Sequence, residues 1–240
     1  MTKTSVSTIR SQEHHCSYLP GEKATTTFVH PKLVLDSRVY SSLLQQGFRR
    51  SGTHLYSPSC SSCEQCISVR IAALQFSPSR AQRRSLSANQ DISVSILSPN
   101  FDDEHLHLYQ NYLNNRHPSS VAELHTRSSF REFLTASWCD TISLEFRLRT
   151  ELVGVAIVDV LANELSAVYT FYSPTYRQRS LGRFAILKTI QFAQERRIEW
   201  VYLGYWIQKS RKMRYKTEYR PQEYFVRGRW IKSLPLFCDK

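Results

Sequence analysis

Three cysteines fall within seven residues, Cys60–Ser–Ser–Cys63–Glu–Gln–Cys66, and Cys16 lies upstream. Two-residue gaps let several sulfurs point into one small volume, as a tetrahedral zinc site or an iron–sulfur cluster requires. Core packing does not call for such spacing. We therefore read Cys60, Cys63 and Cys66 as candidate metal ligands, structural or redox-sensing, against the alternative of three thiols without special role. Cys16 is the candidate fourth ligand, although no spacing demands it, and Cys139 and Cys238 stand isolated.

Two further constellations are basic. Arg177–Gln–Arg179–Ser–Leu–Gly182–Arg–Phe sits between a predicted strand and a predicted helix, where backbone N–H groups and a positive helix end face phosphates. Arginines at such a helix start oppose the dipole unless an anion neutralises them. Gly204–Tyr205–Trp206 is followed by Lys209, Arg211, Lys212, Arg214, Tyr215, Lys216, Tyr219 and Arg220. Cations interleaved with rings suit a nucleic-acid strand, the one for phosphates and the other for stacking on bases; the alternative is a solvated surface element. The eight histidines show no ligand pair, and His14–His15, His105 and His107 read as surface or helix residues. There is no Walker loop, no H-E-x-x-H and no nucleophile elbow.

Elements that must position these groups follow from periodicity. Asp36 caps a helix with the stripe Val39, Tyr40, Leu43, Leu44 and the stop Gly47. Strands are predicted over 53–56, 67–74 and 92–96, and a basic helix bearing Arg80, Arg83 and Arg84 opens after Ser79. Helices follow over 102–116 and 126–136. Ile142, Leu144, Phe146 and Leu148 alternate with Ser143, Glu145, Arg147 and Arg149, which predicts a half-buried strand. Apolar runs at 154–161 and 165–172 are its expected neighbours. A helix with Phe184, Leu187, Ile190 and Ala193 on one face and a strand over 200–205 complete the order: three strands, a helix and a strand.

A chain of 240 residues, 41% hydrophobic and 22% charged with 7 Gly and 9 Pro, is neither disordered nor collagen-like. No apolar run reaches membrane-helix length. The low cysteine density and the lack of an apolar leader segment suggest a reducing cytoplasm. Net charge is +12, and residues 177–232 alone hold 15 Lys+Arg against 4 Asp+Glu. An anionic partner is expected, and this quarter of the chain is where it binds. We place a division near residue 97: an N-terminal Cys-bearing domain (1–97) and a C-terminal domain (98–240).

Several stretches taken together resemble the bacterial aspartate/glutamate leucyltransferases, relatives of the arginyl-tRNA–protein transferases. They are His15–Cys–Ser–Tyr–Leu–Pro–Gly21, Gly47–Phe–Arg–Arg–Ser–Gly52, Tyr56–Ser–Pro–Ser–Cys60 with Cys63 and Cys66, Tyr202–Leu–Gly–Tyr–Trp–Ile207, Lys212–Met–Arg–Tyr–Lys216 and Arg220–Pro221. The resemblance runs in order from about residue 14 to 232. It implies an enzyme of the N-degron pathway that moves leucine from leucyl-tRNA to the α-amine of proteins beginning with Asp or Glu. The implied fold is α+β: a small α/β domain with the Cys cluster, then a GNAT-like acyltransferase domain with a mixed, mostly antiparallel sheet. Cys16, Cys60, Cys63 and Cys66 fall on the family's pattern. One departure is Ser173–Pro174, where relatives commonly carry an acidic residue.

The implied reaction is aminolysis of an ester, and it requires no cofactor. A peptide α-amine has a pKa near 8, so roughly a tenth is neutral at pH 7. Positioning and oxyanion stabilisation then dominate. Candidates near the reacting end are Lys212 and Lys216, with Tyr169 or Tyr205 as oxyanion donor. The acidic side chain of the acceptor calls for a cation, with Arg49 and Arg50, or Lys212, Arg214 and Lys216, as candidates, and Arg177, Arg179, Gly182 and Trp206 are candidates for holding the tRNA. Competing readings are an acetyl-CoA-dependent GNAT N-acetyltransferase and a non-catalytic, metal-bearing RNA-binding module. The leucyl donor rests on the resemblance alone.

Overall fold

The computed structural model describes residues 6–116 and 126–233; Cys238 lies outside them. Short strands β1 (Thr8–Arg10), β2 (His14–His15), β3 (Lys23–Ala24) and β4 (Thr26–Val29) lead to helix α1 (Ser37–Gln45). Asp36 caps α1 by accepting from the Val39 N–H at 2.7 Å, and its stripe Tyr40, Leu43 and Leu44 is buried. Gly47 then takes φ +86°, a turn that favours glycine. Next come β5 (Arg49–Ser51), β6 (His54–Pro58), β7 (Ile67–Ala72), α2 (Arg80–Ser87) and β8 (Ile92–Leu97). Ser79 and Gln82 form a capping box at the start of α2.

Helices α3 (Asp103–Arg116) and α4 (Arg127–Leu134) precede the meander β9 (Asp140–Leu148), β10 (Glu151–Val160) and β11 (Glu164–Tyr172). A turn over Pro174–Arg179, helix α5 (Leu181–Glu195), strand β12 (Trp200–Trp206), a turn over Arg214–Glu218, and strands β13 (Gln222–Val226) and β14 (Arg229–Ile231) follow.

One eight-stranded sheet runs β14-β13-β7-β12-β11-β10-β9-β8. Every neighbouring pair is antiparallel except β11/β12, which is parallel and crosses over through α5. This is the α+β class with the mixed, mostly antiparallel sheet expected of an acyltransferase domain. β7 and β8 come from before residue 98, and β8 pairs with β9 through Val94↔Phe146 and Ile96↔Leu144. A four-stranded sheet, β1-β4-β6-β5, stands beside it with α1.

The run Leu152–Val158 is apolar because β10 is covered on both faces. Val153, Ala156 and Val158 join the core beneath α5 with Phe184 and Leu187. Leu152, Val155 and Ile157 meet Tyr109 of α3 and Phe130 of α4 on the other side. For the same reason β9 is more buried than its alternation predicts. Its polar residues Ser143 and Glu145 lie under α3, where His105 Nε2 is 2.9 Å from Glu145 Oε1 and Nδ1 is 2.7 Å from Asp102 Oδ1. His105 is thus a helix residue on the buried face, not a surface one.

The N-terminal elements are joined to the large sheet by a buried ion pair. Arg50 of β5 and Asp159 of β10 have fully buried side chains and share two bonds of 2.7 Å, from Nε and Nη2. The other guanidinium bonds go to the carbonyls of Gly52 and Leu134, each 3.0 Å. Thr141 and Tyr40 donate to the carboxylate at 2.8 and 3.0 Å. Removing one member of such a pair strands the other charge in the core, which costs about 3–5 kcal/mol. Asp159→Ala should lower unfolding stability by that amount in a urea titration, and an unchanged midpoint would contradict the role given to the pair.

Candidate active site

Parallel pairing of β11 and β12 is brief. It holds at Glu164↔Trp200, Leu165↔Val201 and Ser166↔Tyr202, and the strands then continue to Tyr172 and Trp206 without pairing to each other. A register shift in the β12/β7 ladder between Tyr202 and Gly204 accompanies the opening, and Gly204 has φ +82°. Isolated glycine within a strand marks a bulge or a close approach. Here it marks both.

Two cations occupy the opened wedge. Arg49 Nη2 donates to the Ala167 carbonyl of β11 at 2.7 Å, and Lys216 Nζ donates to the Tyr205 carbonyl of β12 at 2.8 Å. A Cβ on Gly204 would lie 3.3 Å from both Arg49 Nε and Lys216 Nζ. Each residue is only 6% exposed, and neither has a carboxylate partner among the described residues. Arg49 Nη1 is buried without any hydrogen-bond partner. Burial and the neighbouring Arg49 charge lower the Lys216 pKa to about 7, with Cys66 pulling the other way.

Buried charge without a counter-ion costs several kcal/mol. Two such cations side by side, one with an unused N–H donor, form a receptor for an anion, best a carboxylate that accepts from both.

Phenols form the walls. Tyr18, Tyr56 and Tyr205 have pKa values raised first by burial, and in each the Arg49 charge acts to lower them. Tyr205 donates its hydroxyl to the Gly47 carbonyl at 2.9 Å, with the Tyr56 carbonyl at 3.2 Å, so its proton is turned away from the wedge. Tyr169 stands on the splayed part of β11, its ring against Tyr109, Tyr112 and Phe133 at centroid distances of 5.9, 6.2 and 5.2 Å.

The other residues singled out in the sequence are dispersed. Arg50 is spent on Asp159 and two carbonyls, leaving no nitrogen for a ligand. Arg179 makes bonds of 2.7 and 2.9 Å to Asp91 beyond the end of α2. Gly182, in the first turn of α5, lies against the Tyr172 ring, 3.1 Å from where its Cβ would be. Trp206 is buried edge-on to Tyr224 at 5.9 Å. Arg177, Lys212 and Arg214 are exposed, the last bonding the Gln208 carbonyl at 3.4 Å. Tyr18 and Tyr56 fall in stretches that carry the family resemblance, but neither type nor spacing marks them for this site; Gly204 inside a strand is the signal for the wedge.

The four thiols gather beside this site. Burial pushes the Cys66 thiol up to about 12, Cys16, Cys63 and Cys60 add to the rise, and Lys216 opposes it. All four are free and half-buried. The donor set suits zinc or an iron–sulfur cluster in chemistry. In geometry, no three His, Cys, Asp or Glu side chains among the described residues are placed to hold one ion.

A mixed sheet whose two parallel strands part around a polar wedge, with a helix crossing between them, is the fold expected of an acyltransferase domain. The chain belongs to the arginine-tRNA-protein transferase family: the family's N-terminus model matches residues 14–84 and its C-terminus model residues 104–226. It is 48% identical over 221 residues to the aspartate/glutamate leucyltransferase of Pseudomonas aeruginosa (strain LESB58), covering 92% of this chain and 94% of the relative. The enzyme of the same name from Pseudomonas entomophila (strain L48) is 47% identical over the same lengths. Among solved structures, a conserved protein of unknown function from Bacteroides thetaiotaomicron shares the fold with a TM-score of 0.50. It is 10% identical, and the match covers 84% of this chain and 81% of that one.

Gly204→Ala would force a left-handed residue at a cost of about 1–3 kcal/mol and push on both cations. The expected result is a modest fall in melting temperature with loss of more than about nine-tenths of the activity; full activity would mean that the wedge is not the site.

Proposed function

We propose that the protein transfers leucine from leucyl-tRNA to the α-amine of proteins beginning with Asp or Glu, and that Arg49 and Lys216 receive the acceptor's acidic side chain. The observation that carries the placement is the pair of buried cations without a carboxylate partner, among the described residues, at the apex of the β11/β12 wedge. A carboxylate there completes the unused bonding of Arg49 Nη1 and offsets the charge. Tyr169, on the splayed stretch of β11, is the candidate donor to the oxyanion of the ester.

In the reaction the neutral α-amine attacks the ester carbonyl. The C–O bond to the terminal ribose of the tRNA then breaks, and the proton lost from nitrogen ends on the ribose oxygen. No group need be strongly basic. The side chains act by position and by charge, holding the carboxylate so that the amine beside it meets the ester. The exposed cations Arg177, Arg211, Lys212 and Arg214 face the phosphates of the tRNA. No helix among the described residues is long and apolar enough to cross a membrane. A cytoplasmic place of action follows from the proposed donor, since charged tRNA is found there.

The test is to incubate the protein with leucyl-tRNA and a peptide beginning with Asp; intact leucyl-tRNA and unmodified peptide would refute the reading. Arg49→Met should raise KM for the peptide by about 10- to 100-fold, the worth of a charged hydrogen bond of 1.5–3 kcal/mol. Peptide binding should also tighten as pH falls through about 7. Lys216 is neutral above its lowered pKa and charged below it, so carboxylate binding takes up a proton there. Lys216→Met should flatten that dependence in calorimetry over about pH 6–8.

We further propose that Cys16, Cys60, Cys63 and Cys66 bind zinc or an iron–sulfur cluster as a structural group. Metal content of anaerobically purified protein should fall in Cys63→Ser, and absence of metal in the unaltered protein would refute this.

A further inference from the structure

The basic helix α2 has no part in the site described above. Its residues Arg80, Arg83 and Arg84 are all exposed, and none has a carboxylate partner among the described residues; Arg83 Nη1 donates only to the Pro78 carbonyl, at 2.6 Å. The helix contains no acidic residue, and its first residue is Arg80. A cation at that end opposes the helix dipole, so the local sequence is unfavourable without an anion.

The position of α2 is fixed by specific bonds. Gln82 Nε2 donates to the Glu218 carbonyl at 3.0 Å, and Arg183, in the first turn of α5, bonds the Glu218 carboxylate at 3.0 Å. Asn89, beyond the C-terminal end of α2, donates to the Arg179 carbonyl at 2.9 Å. The helix therefore lies across the start of α5 with its arginines outward. It is bonded to the turn over Arg214–Glu218, which is the turn that sends Lys216 into the wedge. Exposed Arg211, Lys212, Arg214 and Arg220 flank the same turn.

We infer that α2 is a docking surface for the phosphate backbone of the tRNA, with Arg80, Arg83 and Arg84 as the residues that meet it. Arg80 and Arg84 are one helical turn apart, about 6 Å along the axis, so they meet separate phosphates rather than one. The double-helical end of the tRNA lies on α2, and its single-stranded 3′ end passes the 211–220 segment to the wedge. The inference rests on the proposed leucyl transfer for the identity of the polyanion. An acidic face on the acceptor protein is the alternative that the test separates.

The test uses the full chain with Arg80, Arg83 and Arg84 all replaced by Gln. KM for leucyl-tRNA should rise more than about tenfold, with kcat and KM for an Asp-starting peptide unchanged. In filter binding of uncharged tRNA, the slope of log K against log salt should shrink by about 0.7–0.9 for each phosphate that is no longer neutralised. A helix with only a structural role would not change that slope. An unchanged slope and tRNA KM would overturn the inference, as would a rise in the peptide KM alone. If the slope shrinks in the triple variant while the unaltered protein transfers no leucine, the functional reading fails and this surface stands.

Discussion

The site depends on the bond between Arg50 and Asp159. Successive residues of a strand point to opposite faces, so once Arg50 of β5 is held by a fully buried carboxylate on β10, Arg49 has one direction left. That direction is the wedge between β11 and β12. A guanidinium at 2.7 Å from a carbonyl of the large sheet requires that the small N-terminal sheet sit at a fixed height and angle. The ion pair, with Tyr40 and Thr141 on the same carboxylate and Glu164 accepting from Ser41 and Gln45 of α1 at 2.6 and 2.7 Å, sets both. Two adjacent arginines thus divide the labour: one orders the fold, the other enters the wedge.

The wedge is built by omission. β11 and β12 have three paired positions and then part, and the bulge at Gly204 removes the side chain that would fill the gap. Arg49 arrives from the N-terminal half and Lys216 from the segment after β12, so the site is complete only when both halves of the chain are folded. The Cys cluster borders it through Cys66, whose thiol feels the Lys216 charge. A change of charge at the cysteines is therefore felt at Lys216, in the wedge.

Much of the fold was legible because it follows from period and punctuation. Asp36 and Gly47 bracket α1, Ser79 starts α2, and the alternation from Ile142 to Leu148 marks β9. Burial of the polar side of β9 was not legible, since it depends on α3 lying across the strand. The short pairings β1/β4 and β13/β14 were missed for lack of any apolar alternation. At the site, residue type and family resemblance pointed to Arg49 and Lys216, but also to Arg50, Arg179 and Trp206, which the fold employs for its own support. Spacing cannot separate these cases; only the location of Asp159, Asp91 and Tyr224 does.

A sheet that parts in its middle acquires two edges where sheets normally have none. Unpaired backbone on such edges is a template for another strand, the hazard that edge strands elsewhere avoid with lysine and with bulges. Here Lys216 and Arg49 take the exposed carbonyls and Gly204 supplies the bulge. The cations that fill the wedge are thus also guards against misassembly, since a variant emptied of both leaves the two carbonyls unpaired. Filling the wedge and closing its two edges to a further strand then fall to the same three positions.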